Sequence, residues 1–160
     1  MRGLTMLRLA LPLLLALYLP GALAGPVEPG QPLPVLLLKN LHGQDWRVAP
    51  DMKLVLFASG RKASSLLQGV LAPQRGGFLA SRQAVYLVDM SKMPGFVTRT
   101  FALPSLRELN FEIGVSLDEK TLAGWPRQDD AVTLIRLDQG RVDSHEFTTS
   151  ETQLKAALGL

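Results

Sequence analysis

The chain has 160 residues, 17 lysines and arginines against 14 aspartates and glutamates, 47% apolar residues and no cysteine. Its length and apolar share suit one domain with one hydrophobic core, and the missing cysteine excludes disulfides, thiolate catalysis and thiolate metal sites. The charges are too evenly mixed to offer the cationic face that phosphate backbones require, so nucleic acid is not an expected partner.

The N-terminus carries Arg2 and Arg8, then an apolar run from Leu9 to Leu19, closed by Pro20-Gly21 and the small-residue triplet Ala22-Leu23-Ala24. A basic region, an apolar region and an A-x-A site in that order mark residues 1–24 as a cleavable secretory signal peptide. The run is shorter than the roughly 20 residues that span a bilayer. No later segment is long enough either, so no membrane span is expected after cleavage. What remains is a single domain over residues 25–160 with fifteen basic and fourteen acidic residues, held by its core without disulfides.

Residues 25–34 hold Pro26, Pro32 and Pro34 with Gly25 and Gly30, an extended lead-in. The short apolar runs Val35–Leu38 and Trp46–Val48, separated by the polar turn Asn40–Gln44, read as two short strands. Lys53–Ala58 is a continuous apolar run of the kind found in a strand covered on both faces. Ser59-Gly60-Arg61 then opens a helix with Leu66, Leu67, Val70 and Leu71 at three- and four-residue spacing, stopped by Pro73. A strand feeding a helix is half of a βαβ unit. Ala84–Val88, beyond the Gly76-Gly77 loop, is its returning parallel strand.

Asp89–Gly95 reads as a loop, Phe96–Leu109 as a helix interrupted at Pro104, and Ile113–Ser116 as a further strand. Ala131–Leu137, the turn Asp138-Gln139-Gly140 and Arg141–Phe147 form a hairpin pattern, and Ser150 with Gln153 is a capping box for a last helix carrying Leu154, Ala157 and Leu158 inward. The expected fold is therefore α/β, a central mixed sheet flanked by helices.

This order of elements resembles the thioredoxin-like superfamily. Three stretches are further similar to the YtfJ-like periplasmic proteins: Phe57–Ser64 with its Gly60-Arg61 turn, Asp89–Arg99 with Pro94–Val97 at its centre, and Val115–Val142 with Ala123-Gly124-Trp125, Asp129-Asp130 and Asp138–Val142. The resemblance implies a periplasmic, bacterial protein. Two departures bear on activity. Redox-active members place Cys-x-x-Cys at the start of the first long helix, where this chain has residues near Lys62 and Ser65. Members also carry a cis proline before the opposing strand, where this chain has Val132, so an ordinary trans peptide and an altered groove are expected.

Ser59 and Lys62 match S-x-x-K, a serine nucleophile with a lysine one turn on, although S-D-N and K-T-G companions are absent. The plainer reading has Ser59 capping the helix, with Arg61 and Lys62 solvated. The same helix start, with Arg61 beside free backbone N–H groups, suits a small anion. His42 and His145 are the only histidines and lack a third ligand, which argues against zinc. Met90 and Met93 offer two thioethers for a soft metal, but more simply fill a loop or core. Asp129 and Asp130 alternate in direction at a strand entrance. Trp125 and Trp46 serve as core or as an aromatic surface. No dinucleotide or P-loop motif is present, so no cofactor is expected.

The reading that follows is a redox-inactive thioredoxin-like module of the cell envelope. Its ligand-binding candidates are Ser59, Gly60, Arg61, Lys62, Ser65, Trp125 and Arg127, and its expected partner is an envelope protein or a small anionic ligand. The alternative is a small serine hydrolase built on Ser59 and Lys62.

Overall fold

The computed structural model describes residues 26–160, so the predicted signal peptide lies outside the described residues. Two-residue strands β1 (Leu38–Lys39) and β2 (Asp45–Trp46) flank the polar turn. There Asn40 holds the backbone N–H groups of His42 and Gln44 at 2.9 and 3.0 Å. Both strands are shorter than the apolar runs beside them, and Val35 is left almost wholly exposed.

Strand β3 (Leu54–Ala58) is buried along its whole length. Leu54, Leu56 and Ala58 face one core cluster, and Val55 and Phe57 face the other. Because side chains alternate across a strand, an unbroken apolar run is what two covered faces demand. Helix α1 (Arg61–Leu71) follows and buries Ala63, Leu67, Val70 and Leu71. Its N-cap is Gly60 and no side chain caps it. Ser59 therefore does not cap this helix; it stands one residue too early for its hydroxyl to reach the second or third helical N–H.

A short helix α2 (Phe78–Ser81), not anticipated in the Gly76-Gly77 loop, leads into β4 (Ala84–Asp89), which pairs in parallel with β3. The interrupted helix is observed as α3 (Gly95–Val97), a π-helical turn (Thr98–Ala102) and α4 (Leu103–Arg107). Leu103 donates to Thr98 O, five residues back, immediately before Pro104. Proline lacks the donor and collides with the carbonyl four residues earlier, and widening the preceding turn lets the helical path run through it.

Strands β5 (Ile113–Ser116), β6 (Val132–Asp138) and β7 (Arg141–Thr148) and helix α5 (Glu151–Leu158) complete the chain. Gln139 and Gly140 both have positive φ, 49° and 79°, the two-residue turn whose twist matches a hairpin. Ser150 caps α5 through Gln153 N at 3.3 Å, while the Gln153 side chain accepts from Thr148 rather than returning to the cap.

The sheet order is β2-β1-β5-β4-β3-β6-β7, with β3, β4 and β5 parallel and the remaining pairs antiparallel. Helices α1, α4 and α5 pack on the face of Leu56, Tyr86 and Leu134. The opposite face is covered by irregular chain, with Val27, Leu33 and Leu36 at one end and Leu122 and Trp125 at the other. No helix among the described residues is long and apolar enough to cross a membrane.

Candidate functional site

Where β3 and β4 end, the chain leaves the sheet twice, into α1 and into the Met90–Pro94 loop. Between α1 and the α3–α4 stretch lies a cavity of about 540 Å³, within the roughly 300–1,000 Å³ typical of small-molecule sites. Gly60, Arg61, Ser64, Ser65 and Gln68 line it from α1, Val88, Asp89, Met90 and Met93 from the strand end and loop, and Val97, Phe101, Ala102, Ser105 and Leu106 from the helix opposite.

One wall is polar and tied together. Ser64 Oγ lies 2.7 Å from Tyr86 OH, Gln68 Nε2 donates to Ser64 Oγ at 3.2 Å, and Ser105 Oγ donates to Gln68 Oε1 at 2.8 Å. Tyr86 is fully buried. Removal from water pushes its phenol pKa well above the ordinary value, against a smaller opposing pull from the Ser64 hydrogen bond. Folded protein thus keeps the proton while unfolded chain releases it near pH 10. Stability is expected to fall as pH rises above about 10. As Tyr86 is the sole tyrosine of residues 25–160, phenolate absorbance at 295 nm should appear together with loss of the far-UV helix signal; phenolate formed by folded protein at pH 10 would refute this.

The rim beside Asp89 is fixed by charge. Asp89, with a side chain 5% exposed, accepts from Arg127 Nη1 at 2.9 Å and from Ser91 N at 2.9 Å. Arg127 also donates to the carbonyls of Leu122 and Trp125 and lies 5.3 Å from the Phe57 ring centroid. Trp125 is buried and meets Phe57 edge-on at 5.4 Å.

No protein-family model matches the chain, and no curated protein matches it. Solved structures do. A thio-disulfide isomerase from Thermus thermophilus shares 17% identity at a TM-score of 0.52 over 82% of this chain and 96% of its own. A peroxiredoxin-like protein from Aquifex aeolicus shares 10% at 0.55 over 86% and 89%. DsbE of Chlorobium tepidum, a putative thiol:disulfide interchange protein, shares 15% at 0.52 over 83% and 99%.

The fold is thioredoxin-like. At the start of this thioredoxin-like fold's helix α1, Arg61, Ser64 and Ser65 line the cavity and Lys62 does not. None of these positions is a cysteine. The described peptide bonds are all trans, and Val132 opens β6 opposite Ala58, wholly buried in the core.

Of the residues singled out from sequence, the structure brings Gly60, Arg61 and Ser65 to the cavity, with Ser59 just before them and outside its lining. Lys62 turns away to an exposed ion pair with Asp130 at 2.8 Å. Trp125 is core, and Arg127 reaches the rim only through Asp89. Met90 and Met93 both line the cavity, without a histidine beside them. Asp130 holds Lys62 while Asp129 is exposed. His42 sits in its exposed turn, His145 stacks edge-on with Phe147 at 5.7 Å on β7, and among the described residues no three potential metal ligands gather.

The hydrolase geometry is not supported. A lysine acting as base must lose its proton near neutrality, whereas the hydrogen bond and charge of Asp130 raise the Lys62 pKa. Sequence reasoning missed Ser64, Gln68, Ser105 and Tyr86. The four-residue spacing of Ser64 and Gln68 on one helix face was the one local signal available; their contacts with Tyr86 and Ser105 join separate elements.

Proposed function

We propose that this is an exported, bacterial periplasmic protein, similar to the YtfJ-like group, which uses a thioredoxin-like scaffold without thiol chemistry and acts by binding in the cavity between α1 and the α3–α4 stretch. The observation that carries this reading is the cavity itself: it lies outside the carboxyl ends of the parallel strands, where open α/β sheets bind ligands, and the start of α1 lines it with Arg61, Ser64 and Ser65. Solved relatives of the fold bear thiol–disulfide names, and this chain has no sulfur nucleophile to follow them. The envelope partner or small anionic ligand expected from sequence fits a cationic mouth over an apolar floor. Of the other candidates, Arg127 fixes the rim through Asp89, whereas Ser59, Lys62 and Trp125 lie outside the lining.

The test is a small-molecule screen by ¹⁵N–¹H NMR on the exported chain, whose first residue is expected to be Gly25. Perturbed amides should cluster at Gly60–Gln68, Val88–Met93 and Val97–Leu106. Ser65→Trp, an exposed lining position on α1, should abolish them while leaving the spectrum folded. Perturbations centred elsewhere, or unaffected by the tryptophan, would refute the reading.

A further inference from the structure

We propose that the cavity selects an amphipathic ligand with a single carboxylate head, bound by Arg61 and the Ser64–Gln68–Ser105 wall, and an apolar body lying against Met93, Val97 and Phe101. This rests on the cavity reading above and names its ligand class.

The hydroxyls of Tyr86, Ser64 and Ser105 and the amide of Gln68 carry five donor hydrogens, and their three mutual contacts use three. Tyr86 is fully buried and its one hydrogen-bond partner among the described residues is Ser64, so its hydrogen goes to Ser64 Oγ. The two hydrogens left over therefore belong to Ser64, Gln68 or Ser105. Turning the Gln68 amide over moves them among these three and leaves the number the same. All three residues line the cavity.

The Arg61 guanidinium, at the mouth, has no hydrogen bond or ion pair with a described residue. The acidic residue in the lining, Asp89, is already matched by Arg127. The lining thus offers several donors and one unmatched positive charge. A carboxylate accepts at two oxygens and pairs with a guanidinium in a fork. Apart from Ser105 the α3–α4 wall is apolar, and Val97 and Phe101 remain 36% and 61% exposed. An apolar body would cover surface that water now wets.

The experiment titrates the exported chain with octanoate, octanol and octyltrimethylammonium, and with acetyl-Leu-Leu and its C-terminal amide, following cavity amides by NMR. The two carboxylate arms distinguish a free amphiphile from a peptide end as its source. Octanoate or acetyl-Leu-Leu should bind at least about tenfold more tightly than its uncharged counterpart. Arg61→Gln should erase that preference, and Ser64→Ala and Ser105→Ala should each reduce it several-fold, with helix content by circular dichroism unchanged.

Equal binding of octanol and octanoate at the cavity would overturn the carboxylate inference and leave the cavity reading standing. So would tightest binding by the ammonium, or a preference that survives Arg61→Gln. No perturbation by any probe would overturn the inference and count against the cavity reading as well.

Discussion

Replacing Arg127 with alanine is expected to destabilise the protein by about 3–5 kcal/mol, the cost of stranding one member of a buried ion pair. Asp89 is 5% exposed and its partner 29% exposed, so water reaches the guanidinium in part and the carboxylate hardly at all. The same side chain donates to the carbonyls of Leu122 and Trp125 and covers the Phe57 ring. Truncation thus also loosens the irregular segment that closes the second face of the sheet. Asp89→Asn should cost less, about 1–3 kcal/mol, because Arg127 keeps both carbonyls and its partial access to water. In the double variant Asp89→Asn/Arg127→Ala no charge is stranded, and its loss should fall short of the sum of the single losses by more than 1 kcal/mol. Urea denaturation of the four proteins reads all of this. Additivity within about 0.5 kcal/mol would mean that the pair is not coupled, and Arg127 would then be free to meet a ligand instead.

That prediction turns on a residue whose role was not legible in the sequence. Strand β3 was legible because two covered faces leave a run of five buried residues, and the last hairpin because Gln139-Gly140 supplies two positive φ angles between alternating strands. Pro104 marked the interruption of its helix, though not the π-helical turn that accommodates it. Arg127 read as a ligand-binding candidate, and Trp125 as core or as part of a binding surface, because composition and spacing say nothing of partners far along the chain. Arg127 meets Asp89 across 38 residues and Thr133 ties down Pro126 through its carbonyl at 2.9 Å, so the segment carrying both is set by tertiary contacts. The polar wall was hidden for the same reason. Ser64 and Gln68 share a helix face, but Tyr86 and Ser105 join them from a strand and a distant helix. The short β1 and β2 were placed by their turn, and their function in the core depends on Trp46, whose reach no periodicity reveals.

Gly114→Ala is expected to be the most damaging single-methyl change in the sheet, at about 1–3 kcal/mol for overpacking and more if Trp46 is expelled. A Cβ at position 114 would lie inside van der Waals contact with three atoms of the Trp46 ring, the farthest at 2.9 Å. Glycine within a strand ordinarily weakens it and marks a close approach by another group, and here the group is identified. Trp46 sits on β2, two strands away, and its indole crosses β1 to lie on β5 while remaining 8% exposed. Neither partner can give way easily. Backbone pairing to Leu87 holds Gly114, and moving the indole outward would return to water a side chain worth about 1.5–3 kcal/mol or more when buried. The clash predicts its own remedy. In a Trp46→Ala background, itself destabilised, adding Gly114→Ala should cost less than about 1 kcal/mol or become favourable, because alanine is less costly than glycine in a strand. Urea midpoints of the four combinations test this, and Trp46 fluorescence, read with Trp125→Phe present, should shift to the red in Gly114→Ala. If the alanine costs the same with and without the indole, the strain at position 114 comes from the backbone, and Trp46 is not what requires glycine there.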